Sequence, residues 1–309
     1  MFSDVIIMAG GAGTRLWPAS SKKIPKQYLP IFGDKTFFDL SLERAYAVLD
    51  ARSSLEDHKE TEPRLVIIAA SSHIEKVSES VSRRSPKEQE RTLLVSEPLA
   101  RNTAAAMACA LALIQKSSGP GRRALVLTCD HLISPMESFI RDVARSEALA
   151  KEGWLCVFGI PPTYPSSGFG YIERGHEIGG HEGSYAVEGF REKPDEQTAR
   201  EFLKSGKFSW NSGMFAFSVD ELIASFDEYA PCILAPFMGL AMPEIQKNKG
   251  SAQLAVWDGL EDAYRTSPAT SFDYAIAEKA RHRALIPASF TWRDIGSWDD
   301  WAAMRSEEG

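Results

Sequence analysis

The sequence lacks any apolar run long enough to cross a membrane. A membrane-spanning helix needs about 18 to 20 consecutive apolar residues, and no stretch of the 309-residue chain approaches that length. The first residues after Met1 also lack the basic segment with which a secretory signal peptide begins. We therefore expect a cytoplasmic protein that has no membrane partner.

Cysteine and histidine are scarce, and neither occurs in a metal-binding pattern. The four cysteines, Cys109, Cys129, Cys156 and Cys232, show no CxxC spacing and mostly lie inside apolar segments, so core thiols are favoured over a disulfide or a metal centre. The six histidines form no HxxxH or HExxH pattern, which argues against a zinc site.

Positive charge is not in excess either. The formal net charge of -7 argues against a general nucleic-acid partner, because such proteins carry basic surfaces. If the ligand is itself a polyanion, local basic residues and a divalent cation have to bind it.

The chain does contain a regular alternation of short apolar runs and amphipathic stretches. The runs predict buried strands at residues 5–8, 65–69, 93–95, 124–128 and 155–159. Helical spacing of apolar residues predicts helices at residues 37–49, 73–84, 103–115 and 138–151. This order predicts an α/β fold with a Rossmann-like, mainly parallel sheet flanked by helices. The ligand crevice is then expected at the carboxyl ends of the strands.

The composition changes beyond about residue 160. Six glycines fall between residues 168 and 183, in a polar stretch that predicts loops or an antiparallel excursion. A strand-like AVEGF, a helix over residues 195–204 and the aromatic run WNSGMFAF follow. Because no segment has the composition of a linker, we predict a single domain over residues 1–309.

A glycine-rich loop follows the first predicted strand. The loop contains Gly10, Gly11, Gly13, Thr14 and Arg15. Starting from Gly11 the residues are GAGTRL, without the third glycine of the GxGxxG dinucleotide fingerprint. No glycine is followed by Lys-Ser or Lys-Thr as a Walker loop requires, so a Rossmann dehydrogenase and a P-loop ATPase are both disfavoured. The turn can still bring backbone N–H groups to phosphate oxygens, with Arg15 as a bidentate fork and Lys26 as a point charge.

The stretch GGAGTRLWPASSKKIPKQ resembles the signature of the sugar-nucleotide pyrophosphorylases. Its tryptophan before proline and its PKQ resemble the mannose-1-phosphate guanylyltransferase branch of that family. Seven further segments occur in the order that the family shows: EPLARNTAAAMA, LVLTCDHLI, FGYIERG, REKPD, WNSGMFAF, FDYAIAEKA and WRDIGSWDDW. The chain departs from the usual family pattern at Ser21, Ala105, Thr128 and Cys129, and none of these departures removes a charge that the chemistry requires.

The resemblance implies the nucleotide-diphospho-sugar transferase, or GT-A-like, fold. It implies a nucleotide-binding half over about residues 1–160 and a sugar-binding half over about residues 161–309. The implied enzyme is a nucleotidyltransferase that makes GDP-mannose and pyrophosphate from GTP and α-D-mannose 1-phosphate. Uridylyl, thymidylyl or cytidylyl transfer to another sugar 1-phosphate stays open, as do a non-catalytic subunit that senses nucleotide sugars and assembly into a homodimer.

The expected catalytic residues are Arg15, Lys26 and Asp130. Both reactants are anionic, so catalysis needs positioning and charge neutralisation rather than a covalent nucleophile. Arg15 suits the β- and γ-phosphates and the departing pyrophosphate, and Lys26 suits the α-phosphate. Asp130 ends the apolar segment LVLTCD, where a carboxylate is a suitable ligand for Mg²⁺. The resemblance gives Asp294 as the second Mg²⁺ ligand, and we expect His131 to pack behind the site.

The other predicted contacts divide between nucleotide and sugar. The predicted nucleotide-binding residues are Gly10, Gly11, Gly13, Thr14, Arg15, Glu97, Arg101, Asn102 and Thr103. Glu97 or nearby backbone carbonyls can accept from guanine N1–H and the exocyclic amine, and the three residues from Arg101 begin a helix whose N-terminus favours anions. The resemblance gives the sugar-phosphate residues as Gly170, Glu192, Lys193 and Asn211. Here Glu192 and Asn211 can bind hydroxyl groups and Lys193 the phosphate.

Overall fold

Short apolar segments form the strands of the computed structural model, which describes residues 2–11, 16–21, 23–53, 62–247, 252–298 and 300–302. The strands are β1 (Asp4–Ala9), β2 (Pro30–Phe32), β3 (Lys35–Thr36), β4 (Arg64–Ala70), β5 (Thr92–Glu97), β6 (Arg123–Thr128), β7 (His131–Ser134), β8 (Leu155–Ile160), β9 (Tyr171–Glu177), β10 (Tyr185–Arg191), β11 (Phe208–Ser218), β12 (Glu244–Lys247), β13 (Gln253–Val256), β14 (Arg283–Pro287) and β15 (Thr291–Asp294). The helices are α1 (Phe37–Ser53), α2 (Ile74–Ser82), α3 (Pro86–Glu90), α4 (Asn102–Ser118), α5 (Met136–Lys151), α6 (Glu196–Ser205), α7 (Val219–Tyr229), α8 (Pro231–Met238) and α9 (Leu260–Thr266). A π-helical turn at Asp273–Ala277 and a 3-10 turn at Lys26–Tyr28 also contribute to the site described below.

The main sheet is mixed, and among the described residues its strand order is β12-β13-β5-β4-β1-β6-β11-β8-β14-β10-β9. Pairing is parallel from β13 through β5, β4 and β1 to β6. β11 pairs antiparallel with both β6 and β8, and the excursion of β9 and β10 is an antiparallel pair. The predicted α/β architecture is confirmed, with parallel pairing concentrated in the strands before residue 130.

The predicted elements of the first half correspond closely to the observed ones. The five predicted strands are β1, β4, β5, β6 and β8, and the four predicted helices are α1, α2, α4 and α5. In the second half, the strand-like AVEGF lies in β10, the helix over residues 195–204 is α6, and the aromatic run lies in β11. None of the described helices is long and apolar enough to span a bilayer.

Apolar side chains cover both faces of the sheet because successive strand residues point to opposite sides. In β1, Ile6 packs in the cluster that contains α4, α7 and α8. Its neighbours Val5 and Ile7 pack in the cluster on the other face, which contains α1 and α5. α4 is buried all round from Ala104 to Ile114, as expected for a helix enclosed between the sheet and other helices.

A small two-stranded ribbon positions Asp294, one of the predicted metal ligands, beside His131. β7 and β15 pair antiparallel, with Asp294 directly opposite His131. Because β7 follows β6 after only two residues, the ribbon brings Asp294 to the carboxyl end of β6. The carboxyl ends of the parallel strands β1, β5 and β6 lie at the same edge of the sheet, where the expected crevice forms.

Candidate active site

The glycine-rich loop leaves β1 at its carboxyl end. Gly11 has φ +98°, a left-handed conformation that favours glycine. Gln27, of the PKQ segment, is buried, and its side-chain amide donates to the backbone carbonyls of Gly11 and Ala9 at 3.3 and 3.5 Å. This anchoring role was not predicted from the sequence. Gly13, Thr14 and Arg15 lie outside the described residues, so their phosphate contacts stay predictions.

Lys26 lies between the two predicted metal ligands. Its side chain is 4% exposed, and Nζ lies 2.5 Å from Asp294 Oδ1 and 3.3 Å from Asp130 Oδ2. The Phe37 ring lies 5.4 Å from the same ammonium group. The sequence predicts Lys26 as a ligand of the α-phosphate, and the structure places its charge where it also compensates two neighbouring carboxylates.

Helix α1 fixes the backbone that carries Asp130. The Ser41 hydroxyl donates to the carbonyl of Thr128 at 2.7 Å, and the Arg44 guanidinium donates to the carbonyl of His131 at 3.1 Å. Arg44 is buried, and desolvation lowers its pKa to about 10. β6 ends at Thr128 rather than at Asp130, so the carboxylate lies on a bend that these two contacts hold on both sides.

His131 is held in one tautomer beside the carboxylates. The Trp292 indole N–H donates to His131 Nδ1 at 3.1 Å, and an indole nitrogen can only donate. Nδ1 is therefore an acceptor, and in the neutral ring the proton lies on Nε2, 3.5 Å from Asp130 Oδ1. Desolvation lowers the pKa of His131 despite its acidic neighbours, which favours the neutral ring. His131 Nε2 thus faces the Asp130 carboxylate, and the expected place of His131 behind the site stays a prediction.

The residues around this point suit a divalent cation. Ligand atoms of Asp130, His131 and Asp294 lie within 4.8 Å of one another, and the two carboxylates offer the oxygen donors that hard cations prefer. The ammonium of Lys26 between them shows that the position accepts positive charge. With His131 Nε2 carrying its proton, the two aspartates are the better candidate ligands.

Glu97 ends β5 near the start of the glycine-rich loop. A β-carbon at Gly10 would lie 3.4 Å from Glu97 Oε2, so the carboxylate lies close to the loop backbone. Its backbone carbonyl accepts from the Ser71 hydroxyl at 2.9 Å. Burial raises the pKa of Glu97 to about 7. This carboxyl group therefore changes its charge near neutral pH.

The three residues predicted to bind an anion at the start of α4 make contacts within the protein. The Arg101 guanidinium donates to the carbonyls of Tyr264 and Arg265, each at 3.0 Å. Asn102 has φ +63°, and its side-chain oxygen accepts from the N–H of Thr103. Arg101 therefore contacts the end of α9, and direct nucleotide binding by these residues stays a prediction.

The predicted sugar-phosphate residues come together in one cleft, which Asp294 also lines. The cleft residues are His131, Gly168, Phe169, Gly170, Glu192, Lys193, Asn211, Ser212, Gly213, Asp273, Trp292 and Asp294. A β-carbon at Gly170 would lie 2.5 Å from Glu192 Oε2 and 3.4 Å from Asn211 Cβ, so a larger residue there would require the Glu192 carboxylate to move. Lys193 Nζ lies 2.9 Å from Glu192 Oε1.

Asp273 is a member of this cleft that sequence reasoning missed. It begins the π-helical turn, and its carboxylate accepts from the Asn211 amide at 2.8 Å. Burial, and then the charge of Glu192, raise the pKa of Asp273 to about 6. The only sequence signal was its position in the segment FDYAIAEKA.

Comparison with known proteins gives matches over nearly the whole chain. Residues 4–308 match the family described as nucleotidyl transferase. A mannose-1-phosphate guanylyltransferase of Sinorhizobium fredii is 36% identical over 98% of this chain and 54% of its own length. A mannose-1-phosphate guanylyltransferase of Salmonella typhimurium is 36% identical over 95% of this chain and 57% of its own length. The chain thus spans little more than half the length of these curated relatives.

A solved structure shares the fold. The Thermus thermophilus protein described as mannose-1-phosphate geranyltransferase is 29% identical, with a TM-score of 0.79 over 99% of this chain and 80% of that one. The agreement covers both the parallel strands and the antiparallel excursion, since the match leaves almost none of the chain out.

Proposed function

Because the chain belongs to the nucleotidyl transferase family, we propose that it makes GDP-mannose and pyrophosphate from GTP and α-D-mannose 1-phosphate. The observation that carries the proposal is the single cleft in which Asp294 of the carboxylate pair lies beside Gly170, Glu192, Lys193 and Asn211. The names of the two curated relatives support guanine and mannose as the specific substrates.

The reaction joins two anions and needs no covalent enzyme intermediate. A phosphate oxygen of the sugar 1-phosphate attacks the α-phosphorus of GTP, the bond to the β-phosphate breaks, and pyrophosphate leaves with the bonding electrons. Lys193, beside Glu192, is the proposed cation for the sugar phosphate, and Glu192 and Asn211 are the proposed contacts for hydroxyl groups of the ring. Positioning of this kind accounts for much of the catalysis in phosphoryl-type transfers.

Charge neutralisation at the α-phosphate is the other requirement. Asp130 and Asp294 are the proposed ligands of Mg²⁺, which when bound would offset the charge of the phosphates that meet there. Lys26, 2.5 Å from Asp294, is within reach of the same region and is the proposed cation for the α-phosphate. Arg15 is the proposed cation for the departing pyrophosphate.

Guanine selection is assigned to Glu97 because an ionised carboxylate accepts from both guanine N1–H and the exocyclic amine. Uracil, thymine and cytosine lack that pair of donors. We also propose the two halves inferred from the sequence, with nucleotide bound by residues before about 160 and sugar by later ones. Location in the cytoplasm, assembly into a homodimer and the absence of nucleic-acid and membrane partners stay predictions.

The proposal is tested by a substrate panel. GTP, UTP, dTTP, CTP and ATP are each combined with mannose 1-phosphate and glucose 1-phosphate, and pyrophosphate release is measured. We expect GTP with mannose 1-phosphate to give the highest kcat/KM, with glucose 1-phosphate about tenfold to a few hundredfold lower because the two sugars differ at one hydroxyl. Asp130→Asn provides the inactive control. A preference for UTP or dTTP would refute the guanine assignment and leave nucleotidyl transfer standing. If no pair of substrates releases pyrophosphate, the proposal as a whole is refuted.

A further inference from the structure

Asp273 lies where the sugar cleft meets the helical layer. It is the first residue of the π-helical turn Asp273–Ala277, and its carboxylate lines the same cleft as Asn211. The preceding residue, Phe272, is fully buried and packs edge-on against Phe215 of β11, with ring centroids 4.8 Å apart. The turn is therefore fixed to the sheet next to the strand that carries Asn211.

Both ends of the Asn211 side-chain amide have a defined partner. Its nitrogen donates to Asp273 Oδ1 at 2.8 Å, and its oxygen accepts from the backbone N–H of Gly213 at 3.0 Å. A carboxylate can only accept and a backbone N–H can only donate, so the amide has one satisfactory orientation. One amide hydrogen and one oxygen lone pair of Asn211 are left for a ligand.

Two hydrogen bonds to the start of α4 also fix the position of Asp273. The backbone N–H of Phe272 donates to the Thr103 hydroxyl at 2.8 Å, and the N–H of Ala104 donates to the carbonyl of Thr270 at 3.2 Å. These bonds attach the segment before Asp273 to the first turn of α4. Asn211 is separately tied to the cleft backbone, because its N–H donates to the carbonyl of Gly170 at 2.8 Å.

We propose that Asp273 is a positioning residue for the sugar, whose carboxylate sets the orientation in which Asn211 presents its amide to the hydroxyls of a sugar 1-phosphate. This inference rests on the proposed function, which makes Asn211 a sugar contact. Asp273 acts through Asn211, and its removal leaves the amide free to rotate away from the productive orientation.

A double-mutant cycle tests this role, with KM for mannose 1-phosphate as the readout. Asp273→Ala is expected to raise that KM by about tenfold and to change the KM for GTP by less than about threefold. In the Asn211→Ala background the same substitution should change it by less than about twofold, because the group that Asp273 orients is gone. Asp273→Asn, which keeps an acceptor oxygen, should recover most of the wild-type KM.

The matched control is Tyr274→Ala on the same turn. The Tyr274 side chain is 62% exposed and its ring faces Lys279, so this substitution alters the turn without touching Asn211. We expect a wild-type KM for mannose 1-phosphate. Additive effects of Asp273→Ala and Asn211→Ala, or an equal effect of Tyr274→Ala, would overturn the positioning role.

The side-chain amide resonances of Asn211 provide a readout that does not depend on turnover. In a proton-nitrogen NMR spectrum of the full chain, Asp273→Ala should shift both amide protons and speed their exchange with water, while Tyr274→Ala should leave them in place. Unchanged Asn211 resonances in Asp273→Ala would refute the inference. If the wild-type protein shows no turnover of GTP and mannose 1-phosphate, only the proposed function is refuted. The Asn211 resonances would still show whether Asp273 holds the Asn211 amide.

Discussion

The burial of Glu97 makes its charge sensitive to pH near neutrality. Desolvation raises its pKa to about 7, well above the usual range of a glutamate. Guanine offers two donors at N1 and the exocyclic amine, and both require the ionised carboxylate. In the proposed function, GTP binding is therefore linked to the loss of one proton from this side chain.

We predict that the KM for GTP falls by about tenfold as the pH rises from 6 to 8, because about a tenth of Glu97 is ionised at the lower pH and most of it at the higher pH. The measurement is KM against pH at saturating mannose 1-phosphate. Glu97→Gln cannot ionise, so its KM for GTP should be higher than that of wild type at pH 8 and should vary less with pH. The variant also controls for ionisation of the triphosphate itself. Identical pH profiles for the two proteins would show that Glu97 does not bind the base.

Among the elements, β11 contains a bulge beside Asn211, one of the predicted sugar contacts. The register with β8 shifts between Asn211 and Phe215, and Gly213 inside the shift has φ +72°. A β-carbon at Gly213 would lie 3.2 Å from Thr128 Cγ2 at the end of β6. The bulge thus needs glycine for its conformation and for its fit against the neighbouring strand.

Gly213→Ala is predicted to lower the free energy of unfolding by about 1 to 2 kcal/mol through left-handed strain. It should also raise the KM for mannose 1-phosphate severalfold, because the Gly213 N–H holds the Asn211 oxygen. Denaturant unfolding and steady-state kinetics measure the two effects. Gly206→Ala is the matched control, since Gly206 has φ +66° and no atom within 4 Å of its β-carbon position. We expect this control to lose stability alone; an equal rise in its KM would contradict the argument.

The elements also show where sequence reasoning succeeds. The parallel strands of the first half, β1, β4, β5 and β6, are short apolar runs that are buried on both faces. Such runs can be recognised in the sequence without any tertiary information. β7 and β15 are only four residues each, and neither has a hydrophobic pattern of its own. Their pairing connects His131 to Asp294 across the chain, and a contact of that range has no local signal.

The same limit applies to the candidate site. The sequence places Asp130 near the end of a strand, and the structure agrees to within two residues. It does not show that Lys26 lies between Asp130 and Asp294, which are 104 and 268 positions away. Nor does it show that Arg101 binds the end of α9, because a basic residue before a helix suggests an anion site as readily as a contact with backbone carbonyls.

At the scale of the whole molecule, the two predicted metal ligands connect distant parts of the chain. A cation that binds Asp130 and Asp294 in the folded protein and not in the unfolded chain stabilises the fold through mass action, by about 1.4 kcal/mol at ten times its dissociation constant. We therefore predict that Mg²⁺ raises the Tm of the wild-type protein by about 2 to 4 °C. Thermal unfolding in EDTA and in Mg²⁺ gives the measurement.

Asp130→Asn should abolish that rise in Tm. The matched control is Asp195→Asn, because Asp195 caps α6 through an acceptor oxygen that asparagine retains and lies outside the cleft. Its response to Mg²⁺ should equal that of the wild-type protein. A full rise in Tm for Asp130→Asn would mean that the stabilising ion binds elsewhere.

The central position of β11 has a consequence for how the protein is made. β11 is synthesised after both β6 and β8 and then inserts between them. A nascent chain that has not yet reached residue 208 therefore carries two apolar strands with unpaired edges, and such edges can pair with the wrong partner. The first half of the molecule cannot complete its sheet until β11 has been synthesised. Fast synthesis of the later residues, or a chaperone that covers those edges, would therefore reduce misfolding of the nascent chain.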